Sequence, residues 1–216
     1  MGFSGLVGAG RTEVVRAIIG ADPRTGGKVF LNGKPLNCRT PHDAIVNGVV
    51  MVPEDRKLQG IIPRMSVGRN ISIGSLDQIT NRLGFVNTRR EEQIGLDGKA
   101  NFNIKTPNLE KPIVELSGGN QQKAIVARWM STKPEVLILD EPTKGIDVGA
   151  KSEFYNMICE FAKEGLAVIL ISSELPEVIG LSDRIIVMRG RRIVGEISAK
   201  DATEEKLLSM AMMEET

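Results

Sequence analysis

The sequence predicts an α/β fold in which helices cover a mostly parallel sheet. Short, continuous apolar runs of strand length recur along the 216 residues and alternate with segments of helical period. Runs of this kind are typical of strands buried on both faces, as in parallel sheets. The hydrophobic content of 41% is enough for one sizeable core. We therefore expect residues 1–216 to form a single domain.

The expected elements follow in order along the chain. A strand at residues 3–7 leads through a glycine-rich stretch into a helix at residues 12–19, which ends at Gly20. Further strands are expected at residues 29–31, 49–52, 136–139, 166–171, 185–188 and 193–197. Further helices are expected at residues 121–130 and 150–163, from Pro176, and at about residues 203–213.

A middle segment interrupts this alternation. Between Arg56 and Glu115, Gly, Pro and polar clusters are scattered and the helical period is weak. We interpret residues 57–131 as an inserted, mostly helical subdomain, which leaves a core of about residues 1–56 and 132–202. The last two strands flank a basic turn at residues 189–192 and predict a small antiparallel element.

The charge balance argues against one class of partner. The 28 Lys and Arg residues and 27 Asp and Glu residues give a net charge of +1. A nucleic-acid-binding domain usually carries a marked excess of basic residues. We therefore expect no nucleic-acid partner.

A glycine-rich loop precedes the first predicted helix. Gly5 lies within the first apolar run, Gly8 and Gly10 follow it, and Arg11 and Thr12 stand at the start of the helix. This is the context of a phosphate-binding P-loop, in which glycines let backbone N–H groups approach an anion at a helix N-terminus. Arg11 replaces the usual lysine, and its planar guanidinium does not occupy the compact position of an ammonium. The loop predicts a P-loop NTPase core that keeps nucleotide binding better than catalysis.

Two other interpretations of the loop stay open. In the simpler interpretation, the three glycines form a tight strand-to-helix turn that binds no ligand. A dinucleotide fingerprint fits less well, because Glu13 stands where its third glycine belongs.

Adjacent carboxylates end a later apolar strand. Asp140 and Glu141 follow residues 136–139. In P-loop ATPases a carboxylate at this place holds Mg²⁺, together with a hydroxyl such as that of Thr12, and another orients the attacking water. Taken alone, the pair is also consistent with solvated acids before a turn. Their position after a phosphate loop favours the catalytic interpretation.

A third motif lies between the loop and the carboxylates. It consists of Leu116, Ser117, Gly118, Gly119, Asn120 and Gln121. The serine and the paired glycines stand at the start of a helix, where hydroxyl and backbone N–H groups form an anion site. The simpler interpretation is that Ser117 is an ordinary helix N-cap. The two interpretations are compatible, because the same serine serves as N-cap and as part of an anion site.

With these motifs in order, the chain resembles the ATP-binding cassette family over essentially its whole length. Residues 53–57, 120–123, 145–151 and 172–174 resemble, more narrowly, the ATPase subunit of bacterial monosaccharide importers. That subunit carries two cassettes in tandem, and the arginine-bearing loop resembles the second. The resemblance implies ATP and Mg²⁺ as ligands, and a signature motif at residues 116–121 that completes the site of a partner cassette.

The resemblance also assigns roles by position. Glu54 stands where the family has a glutamine that contacts Mg²⁺ and water, and Ser173 stands where it has a histidine that contacts the γ-phosphate. Neither replacement does the same job, because a carboxylate repels phosphate and a serine is short. Gly145 and Asp147 are implied to lie at the interface between cassettes. We therefore expect the chain's own nucleotide site to be degenerate, because Arg11, Glu54 and Ser173 are altered. We expect its signature motif to be intact.

Partners and location follow from the same resemblance. The implied partners are a first cassette, membrane permease subunits and, indirectly, a sugar-binding protein. The chain is then cytoplasmic and peripheral on the inner face of the membrane, with Leu58, Ile61, Ile62 and Met65 as candidates for apolar permease contacts or for internal packing. Only two residues precede the first strand, so we expect a chain that lacks the usual N-terminal strands and the first cassette.

Two other function classes remain open. One is a non-hydrolysing structural or regulatory half-domain that contributes only its signature. The other is a soluble ATPase of the same family with no transporter, for which basic insertions or arms are expected.

Overall fold

The computed structural model describes residues 1–212, so Met213, the last residue of the predicted terminal helix, lies outside the described part. The described chain falls into two compact units. The core unit comprises Met1–Met51, Glu135–Pro142 and residues 157–212, and the helical unit comprises Val52–Pro134 and Thr143–Asn156. The helical unit contains the subdomain expected at residues 57–131. It also takes in residues 143–156, which the sequence-based division assigns to the core.

The main sheet is mostly parallel, as the sequence predicts. Within residues 1–212 the strands are β1 (Gly2–Gly5), β2 (Val29–Leu31), β3 (Lys34–Leu36), β4 (Val49–Val52), β5 (Val136–Asp140), β6 (Ala167–Ile171), β7 (Arg184–Arg189) and β8 (Arg192–Ser198). The six-stranded sheet has the order β4-β5-β6-β1-β7-β8. β1 runs parallel to β6 and β7, β5 runs parallel to β6, and β8 is antiparallel to β7. The strand expected at residues 29–31 is not part of this sheet. It corresponds to β2, which pairs with β3 in a separate antiparallel hairpin.

The helices agree with the strongest sequence signals and add several short ones. Over the described residues they are α1 (Arg11–Ile18), α2 (Pro41–Val46), α3 (Val67–Ser72), α4 (Leu76–Ile79), α5 (Thr88–Asn101), α6 (Gly118–Met130), α7 (Val148–Lys163), α8 (Leu175–Leu181) and α9 (Glu204–Met212). The sequence does not resolve α2 to α5 individually. They are short, or, like α5, contain glycines at positions where neighbouring helices approach closely.

Parallel pairing brings three strand ends to one edge of the core unit. Phe3 of β1 and Asp140 of β5 are both in register with Ile171 of β6. The loops that follow these strands therefore begin side by side, which is where ligands bind in open α/β sheets. Beneath them pack the buried side chains Phe3, Val15, Ile138, Ile171 and Met188. Burial of each large apolar side chain contributes about 1.5–3 kcal/mol.

The N-terminus of α2 carries a capping box that makes stability depend on pH. Asp43 Oδ2 accepts hydrogen bonds from the N–H groups of Arg39 and Thr40, both at 2.9 Å, and the first of these is the main cause of the lowered pKa of Asp43. A carboxyl whose pKa is lower in the folded state stabilises the fold above its unfolded pKa of about 3.9. That contribution is lost as the pH falls through the folded pKa.

We therefore expect Asp43→Ala to lower the urea midpoint at pH 7 and to lower it much less at pH 3. Chemical denaturation of both proteins at the two pH values measures this difference. An equal loss at pH 7 and pH 3 would contradict the role given to the ionised carboxylate.

Candidate nucleotide site and signature cavity

The glycine-rich loop has the backbone of an anion cradle. It connects β1 to α1, and Gly8 and Gly10 have φ angles of +82° and +97°, which side chains with a Cβ rarely adopt. Nothing lies within 4 Å of the position that a Cβ on Gly8 would take. Gly10 precedes the first residue of α1, so free N–H groups of the helix N-terminus point toward this loop. Gly5 ends β1 and Thr12 lies half-buried in the first turn.

Arg11 does not extend into the loop but turns into the core unit. Its side chain is 9% exposed; Nη1 donates a hydrogen bond of 2.7 Å to the carbonyl of Ser172, and Nη2 lies 3.5 Å from Glu141 Oε1. The sequence predicts the arginine but not these partners, which lie far along the chain. The guanidinium is therefore already paired before any phosphate arrives.

The two carboxylates occupy different environments. Asp140 is the last residue of β5 and is fully buried, whereas Glu141 lies one step further with a left-handed φ of +45°. The Glu141 N–H donates to the carbonyl of Ile171 at 2.8 Å. Ser173 Oγ donates to Glu141 Oε2 at 2.9 Å, while Arg11 contacts Oε1. Both carboxylate oxygens of Glu141 are thus engaged by residues that the sequence marks as altered.

Glu54 belongs to the helical unit and has a cationic partner there. Lys144 Nζ lies 2.6 Å from Glu54 Oε1, and both side chains are largely exposed. Next to this pair, Arg56 donates to the carbonyls of Lys144 and Gly145 at 2.7 and 3.0 Å. The segment after Val52 is therefore tied to the loop before α7 within the helical unit. Arg56 lies in the stretch 53–57 that carries the family resemblance, whereas Lys144 belongs to none of the sequence motifs.

The signature residues open α6 in the helical unit. Ser117 is the N-cap, and its Oγ accepts hydrogen bonds from the backbone and side-chain nitrogens of Asn120 at 3.5 and 2.9 Å. Gly118 permits close packing, since an added Cβ would lie 2.6 Å from Arg56 Nη2 and 3.1 Å from the Gly145 carbonyl oxygen. On Gly119 a Cβ would lie 2.9 Å from Ala150 Cβ. A side chain at Gly119 would force Ala150 to shift, and one at Gly118 would displace the Arg56 guanidinium.

The segment before the signature is held by Gln121. This side chain is buried, and its Nε2 donates to the carbonyl of Leu116 at 3.1 Å and to that of Ile113 at 3.4 Å. The N-terminal end of α6 is therefore held to the preceding segment by a residue of the motif itself.

A cavity of about 310 Å³ lies beside the signature. It is lined by Lys105, Ser117, Gly119, Asn120, Lys123, Asp147, Gly149, Ala150 and Glu153. Lys123 Nζ donates to Glu153 at 2.5 Å, and this hydrogen bond, with Lys105 adding a smaller effect, lowers the pKa of Glu153. The backbone N–H of Lys105 donates a hydrogen bond of 2.8 Å to Asn120 Oδ1, which holds Lys105 at the rim of the cavity. Lys105 and Glu153 cannot be predicted as cavity residues from the sequence, because neither belongs to a recognisable motif.

The predicted interface residues lie next to the signature. Gly145 has a left-handed φ of +67° and presents its carbonyl to Arg56, and Asp147 Oδ1 accepts from the Ala150 N–H at 3.0 Å in the first turn of α7. Both residues are exposed. They share the helical unit with the signature, as their proposed common role requires.

The apolar residues considered for permease contacts separate into two groups. Leu58 is 84% exposed, whereas Ile61 is 7% exposed and packs inside the helical unit. Ile62 and Met65 are half-buried. Leu58 remains a candidate for a docking contact, and Ile61 serves the interior.

Residues 1–212 contain neither a metal-ligand cluster nor a membrane-spanning helix. No group of three or more His, Cys, Asp or Glu side chains in that range is arranged to hold a metal ion. No helix in that range has the length and apolarity needed for a membrane span.

The family is established by comparison with known proteins. Residues 1–144 match the model of the ABC transporter family. The chain therefore belongs to the ABC transporter family.

Curated relatives match almost the whole chain. It is 53% identical over 215 residues to an arabinose import ATP-binding protein of Mannheimia succiniciproducens, covering 99% of this chain and 43% of the relative. It is 49% identical over 211 residues to a putative ribose/galactose/methyl galactoside import ATP-binding protein of Rhizobium etli, covering 98% of this chain and 40% of the relative. The chain thus spans less than half the length of these relatives.

A solved structure confirms the fold. The dimeric ATP-binding cassette MJ0796, in a post-hydrolysis state bound to ADP and Pi, superposes with a TM-score of 0.73 at 17% identity, covering 92% of this chain and 84% of that one. The α/β P-loop fold with a mostly parallel sheet and small antiparallel elements is that of an ABC cassette.

Proposed function

We propose that the chain is the second cassette of the ATP-binding subunit of a monosaccharide importer. The curated relatives are import ATP-binding proteins for arabinose and for ribose or galactosides, and each is more than twice as long as this chain. Such a subunit works at the cytoplasmic face of the membrane, on permease subunits that receive sugar from a binding protein. A first cassette occupies the remainder of the subunit.

We further propose that the two halves of the cassette serve different nucleotides. The phosphate loop of this chain binds ATP but hydrolyses it slowly or not at all, and its signature completes the competent site of the first cassette. The observation that carries this proposal is the network around Glu141, whose oxygens are contacted by Arg11 and Ser173. An attacking water would have to displace one of these partners before Glu141 could orient it.

The residues of the loop fit a nucleotide better than they fit turnover. Gly8 and Gly10 provide a cradle that a Cβ would restrict, and α1 adds its N-terminal N–H groups. Thr12 and Asp140 are the residues that would hold Mg²⁺, which usually keeps several waters and binds one or two carboxylates together with substrate phosphates. Mg²⁺ supplies charge neutralisation at the phosphates when bound. Arg11 and Glu54, each paired within its own unit, do not replace the lysine and glutamine of an active site.

Phosphate release tests this division of labour. The chain alone is expected to release phosphate slowly, and addition of a first cassette is expected to stimulate release strongly. Full activity of the isolated chain would favour an independent ATPase. No stimulation of phosphate release on addition of the first cassette would contradict a signature that completes another site.

The variant Glu141→Gln tests directly whether the nucleotide site of this chain hydrolyses ATP. If Glu141 is not the base of a working site, we expect turnover by the assembled pair to change by no more than about twofold. Loss of a working general base costs about 10²–10⁴-fold. Phosphate release by the pair with wild-type or variant chain measures the difference, and a hundredfold loss would show that this site hydrolyses ATP.

A further inference from the structure

The turn between β7 and β8 is an unusually basic element in the core unit. Arg189 and Arg192 are directly paired across the two strands, and Gly190 and Arg191 between them both have positive φ, +54° and +65°. Like charges placed opposite each other on neighbouring strands are destabilising. A left-handed conformation is also unfavourable for arginine. Nothing in the packing of the hairpin requires three arginines here.

This turn contacts the phosphate loop. The Arg191 N–H donates a hydrogen bond of 2.9 Å to the carbonyl of Ala9. A Cβ on Gly10 would lie 3.0 Å from both Cα and Cγ of Arg191, so the side chain of Arg191 starts directly against Gly10. The stem of the arginine thus lies along the last residue before α1.

Within the described residues, the three guanidinium groups of the turn have no partners. Among residues 1–212 none of the side chains of Arg189, Arg191 and Arg192 makes a hydrogen bond or an ion pair, and Glu196 of the same hairpin is paired with Arg184 at 3.0 Å. Arg191 is exposed. Arg11, by contrast, is committed to Ser172 and Glu141. Among residues 1–212, Arg191 therefore offers a free cation beside the phosphate loop, although it is not part of the P-loop sequence.

We propose that Arg191 is a nucleotide-binding residue that supplies the positive charge withdrawn from the loop by the inward turn of Arg11. Its guanidinium contacts a phosphate oxygen of the nucleotide held at Gly8 and Gly10. A planar guanidinium is well suited to phosphate, and release of the repulsion within the turn adds to the attraction. This inference rests on nucleotide binding by the loop, as proposed above.

Binding of a fluorescent ADP analogue to the chain tests the proposal. Arg191→Asn removes the charge but suits a left-handed φ, so the turn keeps its backbone. We expect binding about fivefold to tenfold weaker than wild type at low salt, with a smaller difference at high salt. Arg191→Lys should recover part of the loss. Arg192→Asn is the matched control, since it removes the same charge from the same turn at a residue that pairs with Arg189 across the strands, whereas Arg191 donates to Ala9 of the loop. About twofold weakening or less is expected for Arg192→Asn.

The outcomes separate the two proposals. If wild type binds the analogue and Arg191→Asn binds equally well, the role of Arg191 is wrong while nucleotide binding by the loop stands. If Arg191→Asn and Arg192→Asn weaken binding equally, the effect is one of general charge, and the specific contact is again wrong. If the wild-type chain does not bind, both the nucleotide site and this inference fall.

Discussion

Ser117→Arg is expected to abolish sugar transport by the reconstituted importer and to reduce its ATP hydrolysis by about 100-fold or more, a loss comparable to that of a key electrostatic contact in a reacting site. The arginine side chain would fill the cavity beside Gly119 and Asn120 and remove the hydroxyl that accepts from Asn120. Because the signature is proposed to face the nucleotide of the first cassette, the loss falls on the competent site. Transport of labelled sugar into vesicles, with phosphate release in parallel, measures it.

A matched control separates this effect from the loss of a helix cap. Ser66 is the N-cap of α3 in the same unit, where its Oγ accepts from the Arg69 N–H at 3.4 Å. Ser66→Arg makes the same chemical change outside the signature, and loss of either cap costs about 1 kcal/mol of stability. We expect Ser66→Arg to retain most of the transport activity per folded molecule.

Arg11→Ala is the second arm of the comparison, and it is expected to spare much of the transport. Arg11 is buried against Glu141, so its removal lowers stability, and rates must be expressed per folded molecule. Arg11→Lys retains the charge and serves as the milder variant. Equal loss of transport from Ser117→Arg and Arg11→Ala would contradict the proposed asymmetry.

Arg128→Ala is expected to cause the largest loss of stability, about 2–5 kcal/mol. Arg128 is 6% exposed, and its guanidinium donates to the Asn70 carbonyl, the Gly60 carbonyl and Asn70 Oδ1 at 2.6, 2.7 and 2.9 Å. Burial lowers its pKa to about 10, so it still carries its charge at pH 7. Removal of the side chain leaves buried acceptors without donors and opens a cavity.

The same network orders the segment before α3. Asn70 donates to the carbonyls of Ile62, Met65 and Ser66 and accepts from the Ile62 N–H. Urea denaturation of Arg128→Ala, with the exposed Arg82→Ala as control, measures the effect. Arg82→Ala should stay within about 0.5 kcal/mol of wild type. A similarly small change for Arg128→Ala would show that the buried guanidinium does not stabilise the helical unit.

The sequence predicts the parts of the site that depend on local pattern. Apolar runs predict both strands, although β1 ends at Gly5 and not at residue 7, and β5 extends to Asp140. The glycines and the serine mark the starts of α1 and α6. Parallel pairing then brings the strand ends together without any further information.

The parts that sequence reasoning misses depend on side-chain direction and distant contacts. Arg11 has the same identity whether it faces a phosphate or the Ser172 carbonyl, and only the fold places Glu141 within its reach. Glu54 likewise finds Lys144 through a contact between segments that are far apart in sequence. The basic turn at Arg191 is visible as a pattern, but its hydrogen bond to Ala9 is not.

The inward turn of Arg11 also bears on attempts to introduce hydrolysis at the loop. A lysine at this position would substitute a compact ammonium for a planar fork that contacts Ser172 and Glu141 together, so we expect Arg11→Lys to lower stability. On the function proposed above, hydrolysis would also need a longer residue than Ser173 and the release of Glu141. Arg11, Glu141 and Ser173 are therefore coupled, and we expect no single substitution among them to produce turnover.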